Sequence, residues 1–131
     1  MTRIVLDASA GVEIALRTPI GRQLRAKLPV GAETWVPEHY YAESVGVLRR
    51  DELNRRFDPA RIQVALDRLM TAPARRVSVK PLIAEAWRLR QNLTIADALY
   101  VVLATHVGAE LVTSDLRLAN APGLLVSTIT P

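Results

Sequence analysis

The 131-residue chain contains no cysteine. Disulfides are excluded, and so is any metal site built on thiolates. Histidine is scarce too: His39 and His106 are the only two, too few for an ordinary zinc site without cysteine. Aromatic residues make up 5% of the chain. The two tryptophans, Trp35 and Trp87, read as core residues rather than as platforms for stacked bases, Trp87 sharing a helix stripe with Ile83 and Ala84. No apolar run approaches the ~20 residues needed to span a bilayer. The opening "MTRIVLD" lacks the apolar stretch and small-residue cleavage site of a secretory leader, so a cytoplasmic location is the expectation. Internal repeats, low-complexity segments and linkers are absent, and residues 1–131 read as one domain.

What the chain does have is arginine. Of its seventeen Lys and Arg residues fifteen are Arg, and the formal net charge is +4. The planar guanidinium suits phosphate, so the charge fits a polyanionic partner, or simply a basic surface. Half of the residues are apolar and 23% are charged, the balance of a globular domain.

Short β-branched runs alternate with longer helical ones. "RIVLD" (3–7), "ETWV" (33–36), "RRVSV" (75–79), "AELVTS" (109–114) and "LLVSTI" (124–129) read as strands. Between them lie the helical segments "ASAGVEIALR", "PIGRQLRAKL" behind a Thr18 cap with Pro19 at its first position, and "PEHYYAESVGVLRRDEL" opened by proline. "PARIQVALDRLMTA" follows Asp58, "PLIAEAWRLRQNL" is opened by Pro81, and "TIADALYVVLATHV" begins at Thr94. Strands separated by helices require crossover connections. The architecture is therefore α/β, with a parallel sheet covered by helices on both faces. Sites in such folds form beyond the carboxyl ends of the strands.

Acids stand at those positions. Asp7 ends the first strand and Asp115 follows the fourth. Asp97 lies in the first turn of the apolar helix leading into that fourth strand. Glu43 lies in the helix after the second, with Tyr40 and Val47 as its i−3 and i+4 neighbours, an apolar stripe rather than a polar face. Each has a plainer reading: Asp7 and Asp115 as helix caps, Thr94 to Asp97 as a capping box, Glu43 as a solvated helix residue. Taken together, convergent carboxylates repel one another unless a cation lies between them. Hard divalent ions such as Mg²⁺ and Mn²⁺ prefer carboxylate oxygen.

With these residues the chain resembles a PIN domain, and more narrowly the toxin ribonuclease of VapBC-type toxin–antitoxin pairs. The resemblance rests on "VLDAS" with Asp7, "YAESVGVL" with Glu43, "TIADALYVVLA" with Asp97, and "LVTSD" with Asp115, and covers essentially the whole chain. It implies a three-layer α/β/α fold with a five-stranded parallel sheet. It implies an endoribonuclease using Mg²⁺ or Mn²⁺, with Asp7, Glu43, Asp97 and Asp115 as catalytic and metal-binding residues, supported by Ser9 and Thr113. A homodimer and a small antitoxin that covers the acidic pocket are also implied, the latter often aiming an arginine at the carboxylates. One departure is visible: some members carry another acid shortly after the last aspartate, where this chain has "LRLAN".

With the four acids set aside, nine acids face seventeen cations, so a basic surface surrounds a small acidic pit. Candidates for holding RNA phosphates are Arg49 and Arg50 in "RRDELNRR", and Arg117, which lies closest in sequence to a proposed ligand. The arginine run also fits a solvated face paired to Asp51 and Glu52. His39 could line the cleft, whereas His106 reads as a helix-end residue. Two alternatives compete with the nuclease: an inactive RNA- or protein-binding PIN module, and a receiver-like phosphate-signalling domain. The second fits poorly, because Lys80 precedes both Asp97 and Asp115 and Asp7 has no acidic neighbour.

Overall fold

A computed structural model describes residues 2–131. Five strands form one parallel sheet: β1 (Arg3–Leu6), β2 (Glu33–Pro37), β3 (Arg75–Val77), β4 (Glu110–Val112) and β5 (Thr128–Ile129). Their spatial order is β3-β2-β1-β4-β5. The chain moves outward from β1 to β3, then returns to the other side of β1 for β4 and β5. The direction of winding therefore reverses between β1 and β4, and the crevice beyond their carboxyl ends is where such sheets place a site. Seven helices accompany the sheet: α1 (Ala8–Leu16), α2 (Pro19–Lys27), α3 (His39–Leu53), α4 (Pro59–Thr71), α5 (Ile83–Arg88), α6 (Ile95–Val107) and α7 (Leu116–Ala119).

Alternation along β1 divides the core. Ile4 packs with Ala10, Leu24 and Val112, whereas Val5, pointing the other way, joins the larger cluster containing Leu99, Leu103 and Leu111. Helix α6 is buried from Ala98 through Ala104 without interruption, because it packs against α5 on one side and β1, β2 and β4 on the other. Its ends follow local rules. The Thr94 hydroxyl accepts the Asp97 N–H at 3.1 Å, and Gly108 closes the helix in the left-handed region at φ 65°, which glycine adopts without a Cβ clash. Thr18 and Asp58 likewise cap α2 and α4, each with proline at the first turn.

Some expectations shift. Helix α3 starts at His39 rather than at Pro37, which ends β2 opposite Val77. The Glu38 N–H still bonds the Val77 carbonyl at 2.9 Å, so the sheet holds the backbone through residue 38. Around Pro81 a short 3-10 turn spans Lys80–Leu82, and α5 ends at Arg88, where the Arg90 side chain takes the Trp87 carbonyl at 2.9 Å. Strand β5 is only Thr128–Ile129, paired with Leu111 and Val112 of the short β4. Leu125, expected within that strand, is fully out in solvent. Trp87 is not a core residue: it is 57% exposed beneath the Arg90 guanidinium, and Ile83 and Ala84 are exposed with it. Trp35 is half-buried at the core edge, with the guanidinium groups of Arg3 and Arg75 each 5.6 Å from its ring centroid.

Candidate active site

Sheet register creates the centre of the site. Leu6 pairs with Val112, so the next residues along the two strands, Asp7 and Thr113, come side by side. Asp7 is 4% exposed and Thr113 is fully buried. A buried carboxylate needs donors, and Asp7 has three. The Thr113 hydroxyl donates to its Oδ2 at 2.6 Å, and the Ser9 hydroxyl and the Ala10 N–H donate to its Oδ1 at 2.7 and 2.9 Å. The last bond makes Asp7 the N-cap of α1. Burial pushes the Asp7 carboxyl up to about 6; the three hydrogen bonds oppose that rise, and the nearby negative charge of Asp97 adds to it.

Thr113 and Ser9 extend the network to the fourth acid. The Thr113 Oγ1 accepts the Asp115 N–H at 3.0 Å, and the Ser9 Oγ accepts the Ser114 N–H at 3.1 Å. Asp115 caps α7: its Oδ1 accepts the N–H groups of Arg117 at 3.0 Å and Leu118 at 3.3 Å. Its other oxygen faces the Arg117 guanidinium. A single nitrogen, Nη2, lies 2.9 Å from Asp97 Oδ2 and 3.1 Å from Asp115 Oδ2. These contacts raise the Arg117 pKa, Asp97 contributing most.

Glu43 is tied down separately. The Tyr100 hydroxyl donates to its Oε1 at 2.6 Å. His39 Nε2 lies 3.4 Å from the same oxygen and 3.0 Å from the Ala96 carbonyl. Its Nδ1 is buried with no partner. Two acceptors face Nε2 and no acceptor faces Nδ1, which puts the ring proton on Nε2. The His39 and Tyr100 rings pack 4.7 Å apart. Burial, the bond to Glu43 and the charges of Glu43 and Asp7 all hold the Tyr100 phenol strongly in its protonated form.

The capping reading holds for two of the acids: Asp7 caps α1 and Asp115 caps α7, at the carboxyl ends of the neighbouring strands β1 and β4. The Thr94 half of the expected capping box is present, while Asp97 directs its carboxylate to Arg117. The four acids are not drawn around one point. Among the described residues, no three Asp, Glu or His side chains are close enough to share a metal ion, and each of the four carboxylates is engaged by a donor of the chain itself. The donor set is nonetheless all hard oxygen, and the chain seats a positive group between two of its members.

Of the expected phosphate-binding arginines, Arg117 is in the site. Arg49 and Arg50 are exposed on α3; Arg50 lies two turns beyond Glu43 on the same side of the helix, roughly 10 Å along it. Arg56, from the same basic run, is paired with Glu13 and Asp51. His106 is an exposed helix-end residue paired with Glu85 at 2.8 Å. Tyr100 is the site residue that the sequence alone did not reveal. Its position one turn after Asp97 is the available signal. A separate groove of about 400 Å³, lined by Ile14, Tyr40, Leu69 and Pro73 among others, contains none of the four acids.

Comparison with known proteins places the chain in a family. The model of the PIN domain matches residues 4–124. The chain is similar to Ribonuclease VapC12 of Mycobacterium tuberculosis, with 37% identity over 92% of each protein. Among solved structures it is similar to VapC20 of Mycobacterium tuberculosis, described as a sarcin-ricin loop cleaving toxin (TM-score 0.67, 18% identity, covering 93% of this chain and 96% of that one). It is also similar to VapBC2 from Rickettsia felis bound to a DNA fragment from their promoter (TM-score 0.63, 15% identity, covering 97% of this chain and 98% of that one).

Proposed function

Since the chain belongs to the PIN-domain family, among its VapC-type members, we propose that it is the endoribonuclease toxin of a toxin–antitoxin pair and cuts RNA with the help of Mg²⁺ or Mn²⁺. Asp7, Asp97, Asp115 and Glu43 would hold the ion. Bound there, it would supply the Lewis acidity that phosphodiester hydrolysis at neutral pH requires. The observation that carries the reading is the Asp97–Arg117–Asp115 bridge beside Asp7: carboxylates from distant segments share one cation at the β1–β4 switch point.

The chain's own residues have distinct parts in this scheme. Thr113 and Ser9 fix both Asp7 oxygens and, through the backbone of Ser114 and Asp115, fix the loop that carries the fourth acid. Tyr100 and His39 hold the Glu43 carboxylate toward α6. The sheet and α6 exclude water from the floor of the site, leaving it open at the Arg117 side, where that side chain is 63% exposed. Arg117, and farther out Arg50, offer guanidinium groups to phosphates.

An antitoxin protein partner and a homodimer complete the reading. The antitoxin is supported by the VapBC2 assembly among the structural neighbours, and the dimer by family resemblance. No helix among the described residues is long and apolar enough to cross a membrane, in keeping with a cytoplasmic site of action. The test is induction of the chain in cells without an antitoxin, followed by mapping of new RNA 5′ ends. Growth arrest with discrete new ends, both lost in Asp7→Asn, supports the toxin. Equal arrest by both forms with no new ends would leave an inactive binding module as the better account.

A further inference from the structure

Arg117 holds Asp97 and Asp115 in an unusual way for an arginine. A guanidinium normally presents two nitrogens to a carboxylate as a fork. Here one nitrogen, Nη2, serves two carboxylates, at 2.9 and 3.1 Å, and among the described residues no other side-chain nitrogen of Arg117 has a hydrogen-bond partner. The residue acts as a point charge placed between two anions. Its side chain is 63% exposed, whereas those of Asp97 and Asp115 are 19% and 34% exposed. The arginine is therefore the solvent-facing member of the bridge, and Asp115 is anchored independently of it by capping α7. The Arg117 N–H is bonded by Asp115 Oδ1 at 3.0 Å, so the side chain can leave without disturbing α7 or its cap.

We propose that Arg117 is a resident placeholder for the divalent ion: its guanidinium occupies the seat between Asp97 and Asp115 until the ion binds, then swings to the rim of the site, where it is free to meet an RNA phosphate. This rests on the acidic site holding a divalent ion, as proposed above. The exchange is easy in one direction and useful in the other. Exposed ion pairs are weak, so the arginine can be displaced by a divalent cation. Its permanent charge keeps the two acids from facing each other unscreened while the ion is away.

Three measurements on the purified chain, with magnesium or manganese salts as the only added ligand, test the exchange. By calorimetry, Arg117→Gln is expected to bind Mn²⁺ roughly three- to tenfold more tightly than wild type, since it has no resident competitor to displace. In EDTA the variant is expected to melt below wild type, and saturating Mg²⁺ should close that gap. In wild type, the heteronuclear NOE of the Arg117 Nε–H should fall when Mg²⁺ is added, as the ordered bridge becomes a mobile side chain. Saturable Mn²⁺ binding with equal affinity in the two proteins, or an Nε–H that stays rigid with Mg²⁺, would overturn the placeholder role while leaving the metal site intact. Absence of saturable binding in both proteins would overturn the metal site and the placeholder together.

Discussion

The Thr113 hydroxyl donates to Asp7 Oδ2 at 2.6 Å while its oxygen accepts the Asp115 N–H at 3.0 Å. One fully buried side chain thus orients a carboxylate from β1 and the loop that carries a second carboxylate after β4.

Replacement of Thr113 by valine keeps the shape and removes both bonds. A buried carboxylate and a backbone N–H lose a partner together, so the variant should lose roughly 2–4 kcal/mol of stability. Urea unfolding in EDTA measures this. A loss below about 0.5 kcal/mol would mean that the bond does not organise the site.

The Asp7 carboxyl, raised to about 6 in the fold from its ordinary 3.8, makes a signed pH prediction. Between those values the folded chain binds more protons than the unfolded one, so the Asp7 contribution to stability is greatest below pH 4, declines up to about pH 6, and is constant above. In EDTA, Asp7→Asn should therefore gain on wild type as pH rises, by on the order of 2–3 kcal/mol at pH 7.5. The Thr113 hydroxyl can turn to accept from the new amide, so the variant folds. A stability difference that is flat from pH 4 to 7.5 would contradict the burial argument.

Two glycines predict opposite outcomes. A Cβ on Gly21 would lie 2.0 Å from the Glu13 carbonyl oxygen and 2.4 Å from its carbon, both backbone atoms. Gly21→Ala should thus force α1 and α2 apart and cost about 3 kcal/mol or more. Gly46, within α3, has nothing near its missing Cβ, so Gly46→Ala should stabilise by about 0.5–1 kcal/mol. Thermal melts of the two variants, shifted down and up respectively, check the packing of α1 on α2.

Tyr100→Phe removes the donor to Glu43 and the hydroxyl that the Ala8 backbone N–H reaches. Glu43 is about one-third exposed, so water replaces part of the bond and the stability loss should stay near 1 kcal/mol. Cleavage should fall further, by roughly ten- to a hundredfold, if Glu43 must be held in place. Wild-type activity in this variant would remove Glu43 positioning from the scheme.

Short-range signals made much of this legible. Thr18, Asp58 and Thr94 cap their helices because hydroxyl or carboxylate, first turn and spacing are all local information. Asp7 and Asp115 could be placed on one rim because parallel strands alternating with helices allow few arrangements. The fine contacts depend on register and rotamer, which no pattern encodes. Sequence proximity pointed to Arg117 but not to one nitrogen between two acids. Helix periodicity placed Glu43 in an apolar stripe without showing that Tyr100 and His39 claim its carboxylate. Trp87 is exposed because α5 is only six residues long and its Ile83–Trp87 stripe has nothing to cover it.

If the acids at the β1–β4 crevice cut RNA through a divalent ion, the purified chain should cleave a single-stranded RNA in a way that follows a Mg²⁺ titration from EDTA upward, with Asp7→Asn from the same preparation as control. Internal cuts should be absent in EDTA, rise and saturate with Mg²⁺, and never appear in the variant. Cleavage that persists in EDTA, or that Asp7→Asn retains, would contradict that mechanism.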